Sequence, residues 1–153
     1  MKNINENYEI PPNTIAELAL EFTENLCAAM ELGKEFMFQT VMEYGNFLGD
    51  FPNENMTEDN KIHGCQSTVY ISAEKIEDRV FYKGFADSKL VAGEVAILLK
   101  IFDGQTIKDI IENSKQYLDK FVSETNLIES LTPSRQNAFG SMYEHIKKLA
   151  GSS

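Results

Sequence analysis

Cys65 is the residue of this chain best placed by its neighbours to do chemistry. It stands in Gly64-Cys65-Gln66-Ser67, directly before the run Thr68-Val69-Tyr70-Ile71. The glycine loosens a turn, and the strand pattern behind it ties the thiol to a rigid element while leaving it near the surface. A sulfur that gives or takes a group needs that placement. The plain alternative is a small buried hydrophobe, which is how free cysteine often behaves. Cys27, the other cysteine, falls on a helical stripe and reads as core. A cysteine hydrolase would also need a general base and an oxyanion hole. The chain has two histidines, His63 and His145. His63, two residues before the thiol, favours a thiolate only if it is charged and close, and it reads as a surface loop residue. His145 sits in a helical pattern beside Tyr143 and Ile146, where an ordinary helical role fits. Two cysteines and two histidines without ligand-pair spacing do not make a zinc or iron–sulfur set. The stretch Gly45-Asn46-Phe47-Leu48-Gly49 lacks the Lys and Ser/Thr of a phosphate-binding loop. Arg135 follows Thr132-Pro133-Ser134 in the first turn of a helix, an end where the helix dipole does not favour a cation. Two readings stay open for it: a salt bridge to an acidic group such as Asp87, or a contact with an anion or partner.

These groups are carried by a chain of 153 residues with 42% hydrophobic and 10% aromatic content, enough for one domain with its own core. A net charge of −10 repels phosphate backbones and anionic lipid, so neither nucleic acid nor a membrane is an expected partner. The longest apolar run, Val95 to Leu99, is far too short to span a bilayer. Residues 1–13 form a polar tail without the apolar core of a signal peptide. Two cysteines cannot build a disulfide framework, and the expected location is the reducing cytoplasm.

Thr14-Ile15-Ala16-Glu17 is a capping box, and behind it Ile15, Leu18, Phe22, Leu26 and Ala29 recur at helical spacing. Met37, Val41, Tyr44 and Leu48 form a second stripe after Gly33. From Gly49 to Asn60 the chain is polar and acidic, with Pro52, and reads as a long exposed loop. The period then becomes two: Val69 and Ile71 alternate with Thr68, Tyr70 and Ser72, and Val80 and Tyr82 with Arg79, Phe81 and Lys83, with a charged turn around Glu74 to Asp78. From Asp87 onward Val91, Val95, Leu98 and Phe102 make one helical face, flanked by Leu90, Ile97 and Ile101. A helix apolar over so much of its girth belongs at the centre. Asp103-Gly104 ends it, Thr106 caps a short helix, Tyr117 to Val122 starts another, and Thr132-Pro133 opens the last. The order predicts an α+β domain over residues 14–150, a small antiparallel β-sheet packed against helices.

Three separated stretches resemble one family. They are Gly64-Cys65-Gln66-Ser67 with Val69-Tyr70, then Gly84-x-Ala86-Asp87-Ser88-x-Leu90-Val91-x-Gly93, then Leu131-Thr132-Pro133-Ser134-Arg135. In this order they resemble the SufE-like sulfur-acceptor family, over about residues 36–150. The resemblance implies an α+β sandwich of the kind shared with iron–sulfur scaffold proteins. It implies a sulfur-transfer protein that takes persulfide sulfur from a PLP-dependent cysteine desulfurase (SufS-like) onto Cys65. Such a protein stimulates the desulfurase and delivers sulfur to scaffold proteins for iron–sulfur cluster assembly. Under it Gly64, Gln66, Ser67, Asp87 and Arg135 serve partner docking or the setting of the cysteine loop. The chain itself needs no cofactor and no metal, since PLP resides on the desulfurase. The sequence departs from the family at Tyr70, where tryptophan is usual, at Ala86-Asp87-Ser88 in place of Ser-Asp-Ala, at Ala92 and at Glu94, where an apolar residue is common. The other expectation is a binding or regulatory module of the same fold that transfers no sulfur.

Overall fold

The computed structural model describes residues 3–5, 8–64, 67–125 and 133–151, the side chains of 3–5 and 133–137 excepted. A short hairpin, β1 (Asn3–Asn5) and β2 (Tyr8–Glu9), precedes the helices α1 (Ile15–Glu31) and α2 (Lys34–Tyr44). Two long strands follow, β3 (Val69–Ile76) and β4 (Arg79–Ala86), then α3 (Lys89–Phe102), β5 (Gln105–Thr106), α4 (Ile107–Glu112), α5 (Lys115–Thr125) and α6 (Pro133–Gly151). β3, β4 and β5 form an antiparallel sheet in that order. The architecture is therefore α+β, as the alternation of periods predicts. Among the described residues no helix is long and apolar enough to cross a membrane.

Local chemistry sets most element ends. Thr14 Oγ1 accepts from Glu17 N–H at 3.1 Å while Thr14 N–H donates to Glu17 Oε1 at 2.9 Å, closing the capping box that starts α1. Thr106 Oγ1 accepts from Asp109 N–H at 3.1 Å and starts α4. The β3–β4 turn is tighter than its charge pattern implies: pairing runs out to Ile76↔Arg79, so only Glu77 and Asp78 form the turn. Glu77 takes φ +58 there, the left-handed backbone that a two-residue hairpin demands.

Strand alternation sorts the sheet into two faces. Val69, Ile71, Val80 and Tyr82 point inward and are buried, against α3 and α6. A Cβ on Gly84 would lie 2.6 Å from Val95 Cγ1 and 2.8 Å from Leu99 Cδ1, so β4 and α3 touch through a glycine. α3 is the central helix: Val91, Val95, Ile97, Leu98, Ile101 and Phe102 are all buried, each contributing about 1.5–3 kcal/mol on transfer from water. On its far side Gly93 meets α2 so closely that a Cβ would stand 1.9 Å from the Val41 carbonyl oxygen.

The outer face of the sheet is covered by segments whose polarity reads as solvent-exposed. Phe51, within the acidic stretch 49–60, stacks on Tyr70 at 6.1 Å between centroids and lies 6.4 Å from Phe85. Two short 3-10 turns, Asn53–Asn55 and Glu58–Asn60, fold that stretch back over the sheet, and Asn55 Nδ2 donates to Ser72 Oγ at 3.4 Å. At the other end Tyr8 lies 4.8 Å from Phe81 between centroids and its hydroxyl bonds Glu74. Residues 8–13 thus run along the sheet as a strap: Pro11 fills the space beside Gly104, and Gln105 Nε2 donates to the Asn13 carbonyl at 2.9 Å.

Candidate functional site

Cys65 and Gln66 lie outside the described residues, as do Leu131, Thr132 and the side chains of Ser134 and Arg135. The frame that carries Cys65 is described on both sides. Ile62 N–H donates to the Val69 carbonyl at 2.9 Å, and Lys61 makes an antiparallel bridge with Tyr70. Residues 61 and 62 thereby add a short fourth rung to the free edge of β3, and 63–68 become a closed loop at the head of that strand. Gly64 enters the loop with φ +87, a backbone state open to glycine and strained for other residues.

The base of the loop is locked from the β4 side. Thr68 N–H donates to Asp87 Oδ1 at 3.0 Å, and Asp87 N–H donates to the Thr68 carbonyl at 3.2 Å. This pair extends the β3–β4 ladder by one step past Val69↔Ala86, with a carboxylate as the second acceptor. Asp87 is thus bonded to a residue three positions along the sequence from Cys65. Ser67 is half-buried beside it.

α6 supports the loop from the other side. A Cβ on Gly64 would face Ser141 Oγ at 3.8 Å, and one turn on His145 Nε2 lies 3.2 Å from the Ile71 carbonyl. That carbonyl points from the free edge of β3, so His145 donates to it and caps the edge where the residue 61–62 rung ends. Burial pushes the His145 imidazole below its ordinary value, with the nearby Lys148 and His63 acting the same way and the bond to Ile71 opposing. The ring is held neutral at neutral pH. His63 is exposed and pairs with Glu58 at 3.3 Å, the surface role its loop position predicts. Between residues 58–63, the start of α5 and α6 runs an open groove of about 1090 Å³, lined by Ile62, His63, Lys115, Ser141, His145 and Lys148 among others. Sequence reasoning treated His145 as an ordinary helix residue and passed over Ser141. Their spacing of four, aligned with Gly64 and Ile71, is visible only once α6 is known to run beside β3.

Cys27 is half-buried, with Sγ 3.4 Å from the Glu124 carbonyl, between α1 and α5. Among the described residues no group of three or more His, Cys, Asp or Glu side chains could hold a metal ion.

The fold is an α+β domain with a three-stranded sheet, and the Asp87–Thr68 pair closes one end of its longest ladder. The family model described as the Fe-S metabolism associated domain, SufE, matches residues 23–150. The chain belongs to the SufE family. It is 31% identical over 144 residues to an uncharacterized SufE-like protein of Synechocystis, covering 94% of this chain and 84% of that one. It is 33% identical over 120 residues to an uncharacterized SufE-like protein of Rhizobium meliloti, covering 76% and 84%. It is 29% identical over 134 residues to the cysteine desulfuration protein SufE of Wigglesworthia glossinidia brevipalpis, covering 86% and 88%. The solution structure of a hypothetical protein from Thermus thermophilus shares the fold, with a TM-score of 0.63 at 20% identity over 93% of this chain and 96% of that one.

Proposed function

We propose that this protein is a sulfur acceptor that takes sulfane sulfur from a cysteine desulfurase onto Cys65 and hands it on for iron–sulfur cluster assembly. The observation that carries the reading is the match to the SufE family over residues 23–150, and the Asp87–Thr68 pair beside the segment that contains Cys65 supports it. In the step, the Cys65 thiolate attacks the terminal sulfur of a persulfide on the donor. A new S–S bond forms at Cys65, the donor S–S bond breaks, and the donor cysteine leaves as a thiolate that takes up the proton lost by Cys65. Nothing is oxidised or reduced overall. The step uses no resident base, metal or cofactor, and PLP belongs to the partner that made the persulfide.

The residues around the loop have distinct parts in this reading. Gly64 supplies the turn and a hinge for outward movement, and Ser67 and Gln66 flank the thiol. Asp87 sets the base of the loop, and Arg135 serves partner docking or loop setting. The partners are a SufS-like cysteine desulfurase, which the protein stimulates, and a downstream iron–sulfur scaffold. The reaction suits a cytoplasmic protein with reduced thiols.

The test is incubation with a cysteine desulfurase, PLP and cysteine, followed by intact mass. Transfer gives one added sulfur that reductant removes, that survives in Cys27→Ser and that is absent in Cys65→Ser. Full desulfurase stimulation by the Cys65→Ser protein, with no adduct on the native one, would instead make the protein a regulatory module of the same fold.

A further inference from the structure

One stretch of the sheet edge keeps its backbone groups unpaired. The Val69 carbonyl accepts from Ile62, so Val69, Ile71 and Ala73 turn their N–H and C=O to the free edge of β3, and the residues opposite them on β4 turn theirs away from β3. Gly84, opposite Ile71, is one of these. β5 covers that side of β4 at Arg79 and Val80 only. The Tyr82 N–H is taken by Asp103 Oδ1 at 2.7 Å. Among the described residues nothing bonds the Tyr82 carbonyl or the N–H and C=O of Gly84.

Tyr82 and Gly84 open into a cleft of about 360 Å³ beside the C-terminal end of α3. That size is near the lower end for small-molecule sites, about 300–1,000 Å³. Its apolar lining is Phe47, Leu48, Ala96 and Leu99. Phe47 is 69% exposed, so an apolar group laid on it would leave water together with the ring. Lys100 and Asp103, three residues apart where α3 ends, bring one charge of each sign to the cleft. Asp50 and Lys83 line it as well. Among the described residues neither lysine is in an ion pair.

We propose that this cleft binds a free α-amino acid with an apolar side chain. Such a molecule carries an ammonium and a carboxylate on one carbon, and the cleft offers a partner to each. Lying along the edge as one residue of a parallel strand, it donates its ammonium to the Tyr82 carbonyl and accepts at its carboxylate from the Gly84 N–H. Asp103, bonded at Tyr82, adds its charge at the ammonium end. Lys100 meets the carboxylate as a point charge. The side chain lies against Phe47, Leu48, Ala96 and Leu99. A polyanion such as a nucleotide is disfavoured by Asp50 and Asp103. Cysteine stripped of its sulfur is alanine, so in the sulfur-acceptor reading the donor's own by-product belongs to this class. Binding itself does not depend on that reading.

The test is a titration of the full chain, followed by amide NMR, with L-alanine, L-valine and L-leucine. The expected result is a saturable shift of the Tyr82, Gly84 and Lys100 amides, with a dissociation constant of about 1 mM or tighter for at least one of the three. N-acetylation, which removes the ammonium, should weaken that ligand about tenfold or more. Lys100→Met, a change at an exposed position, should weaken the amino acid about fivefold or more and leave its carboxamide derivative, which lacks the carboxylate, unchanged. No saturable shift with any of the three overturns the proposal. Equal binding of the N-acetyl derivative does so too, as does a free amino acid indifferent to Lys100→Met. None of these readouts involves Cys65, so a failure here leaves the sulfur-acceptor reading standing, and the absence of a sulfur adduct leaves this site standing.

Discussion

Asp87 and Thr68 hold each other by two hydrogen bonds, one through the Asp87 carboxylate at 3.0 Å and one through its backbone N–H at 3.2 Å. Asp87 is exposed, so the aspartate that sequence reasoning left between partner docking and loop setting has a structural contact of its own. Asp87→Ala leaves the Thr68 N–H without its acceptor and should cost about 1 kcal/mol, read as a lower urea midpoint. Asp87→Asn keeps an acceptor oxygen and should be near native in stability. If both variants lose desulfurase stimulation equally, the charge matters for docking; if Asn alone retains it, the hydrogen bond is what counts. Equal and native stability of Ala and Asn would sink the clamp.

Gly64→Ala separates backbone strain from crowding. The added Cβ has room, 3.8 Å from Ser141 Oγ, but φ +87 costs a residue with a side chain about 1–2 kcal/mol. We expect a loss of that size in chemical denaturation, together with altered exchange of amides 60–68. A variant as stable as the native protein would show that the loop adopts a different backbone state.

Two core glycines should rank in a fixed order. At Gly93 the clash is with backbone, the Val41 carbonyl oxygen at 1.9 Å, and α2 and α3 would have to separate. Gly93→Ala should lose about 3 kcal/mol or more. At Gly84 the nearest atoms are the ends of Val95 and Leu99 side chains, which can turn away at smaller cost. Thermal unfolding that finds Gly84→Ala the worse of the two would contradict the packing described.

His145 gives a pH dependence with a definite sign. Its value in the folded protein is lowered by burial from the ordinary 6.5, so below that pH the unfolded chain binds the proton more readily than the folded one. Stability from this residue is complete above about pH 6.5 and is lost as pH falls through and below it. Glu58 and His63 pair with each other and line the same groove, so the informative quantity is a difference. The native protein should lose more stability than His145→Gln between pH 7.5 and 5.5; equal losses would mean that His145 titrates as it does in water.

Much of the fold was legible because the signals were local. Thr14 and Glu17 cap α1 as their spacing requires, Thr106 caps α4, and the apolar girth of α3 marks the helix that lies at the centre. What the sequence did not reveal depends on partners far along the chain. Phe51 and Tyr8 sit in polar stretches, and only the sheet face they cover, Tyr70 with Phe85 and Phe81 with Glu74, makes sense of them. β5 is two residues long, too short for a period, and exists because β4 offers it an edge. At the site, Gly64 and Asp87 stand out in the sequence through the motifs that contain them. Ser141 and His145 do not, since their place beside Gly64 and Ile71 follows from the direction of α6.

The bond from Ile62 to Val69 fixes how far a sulfur on Cys65 can travel. With that bond and the Lys61–Tyr70 bridge in place, the loop 63–68 spans the gap, and the thiol sits three residues from the nearer lock. Fully stretched chain covers about 3.3–3.6 Å per residue, so this leash is about 10 Å long. Carriers that move cargo between distant sites on one assembly use arms several times that length. In the proposed reading a protein with so short a leash travels whole: it binds one partner, releases it, and binds the next. In the proposed reading, delivery is therefore set by dissociation of the loaded protein, and a tighter complex with the donor would slow the flow of sulfur.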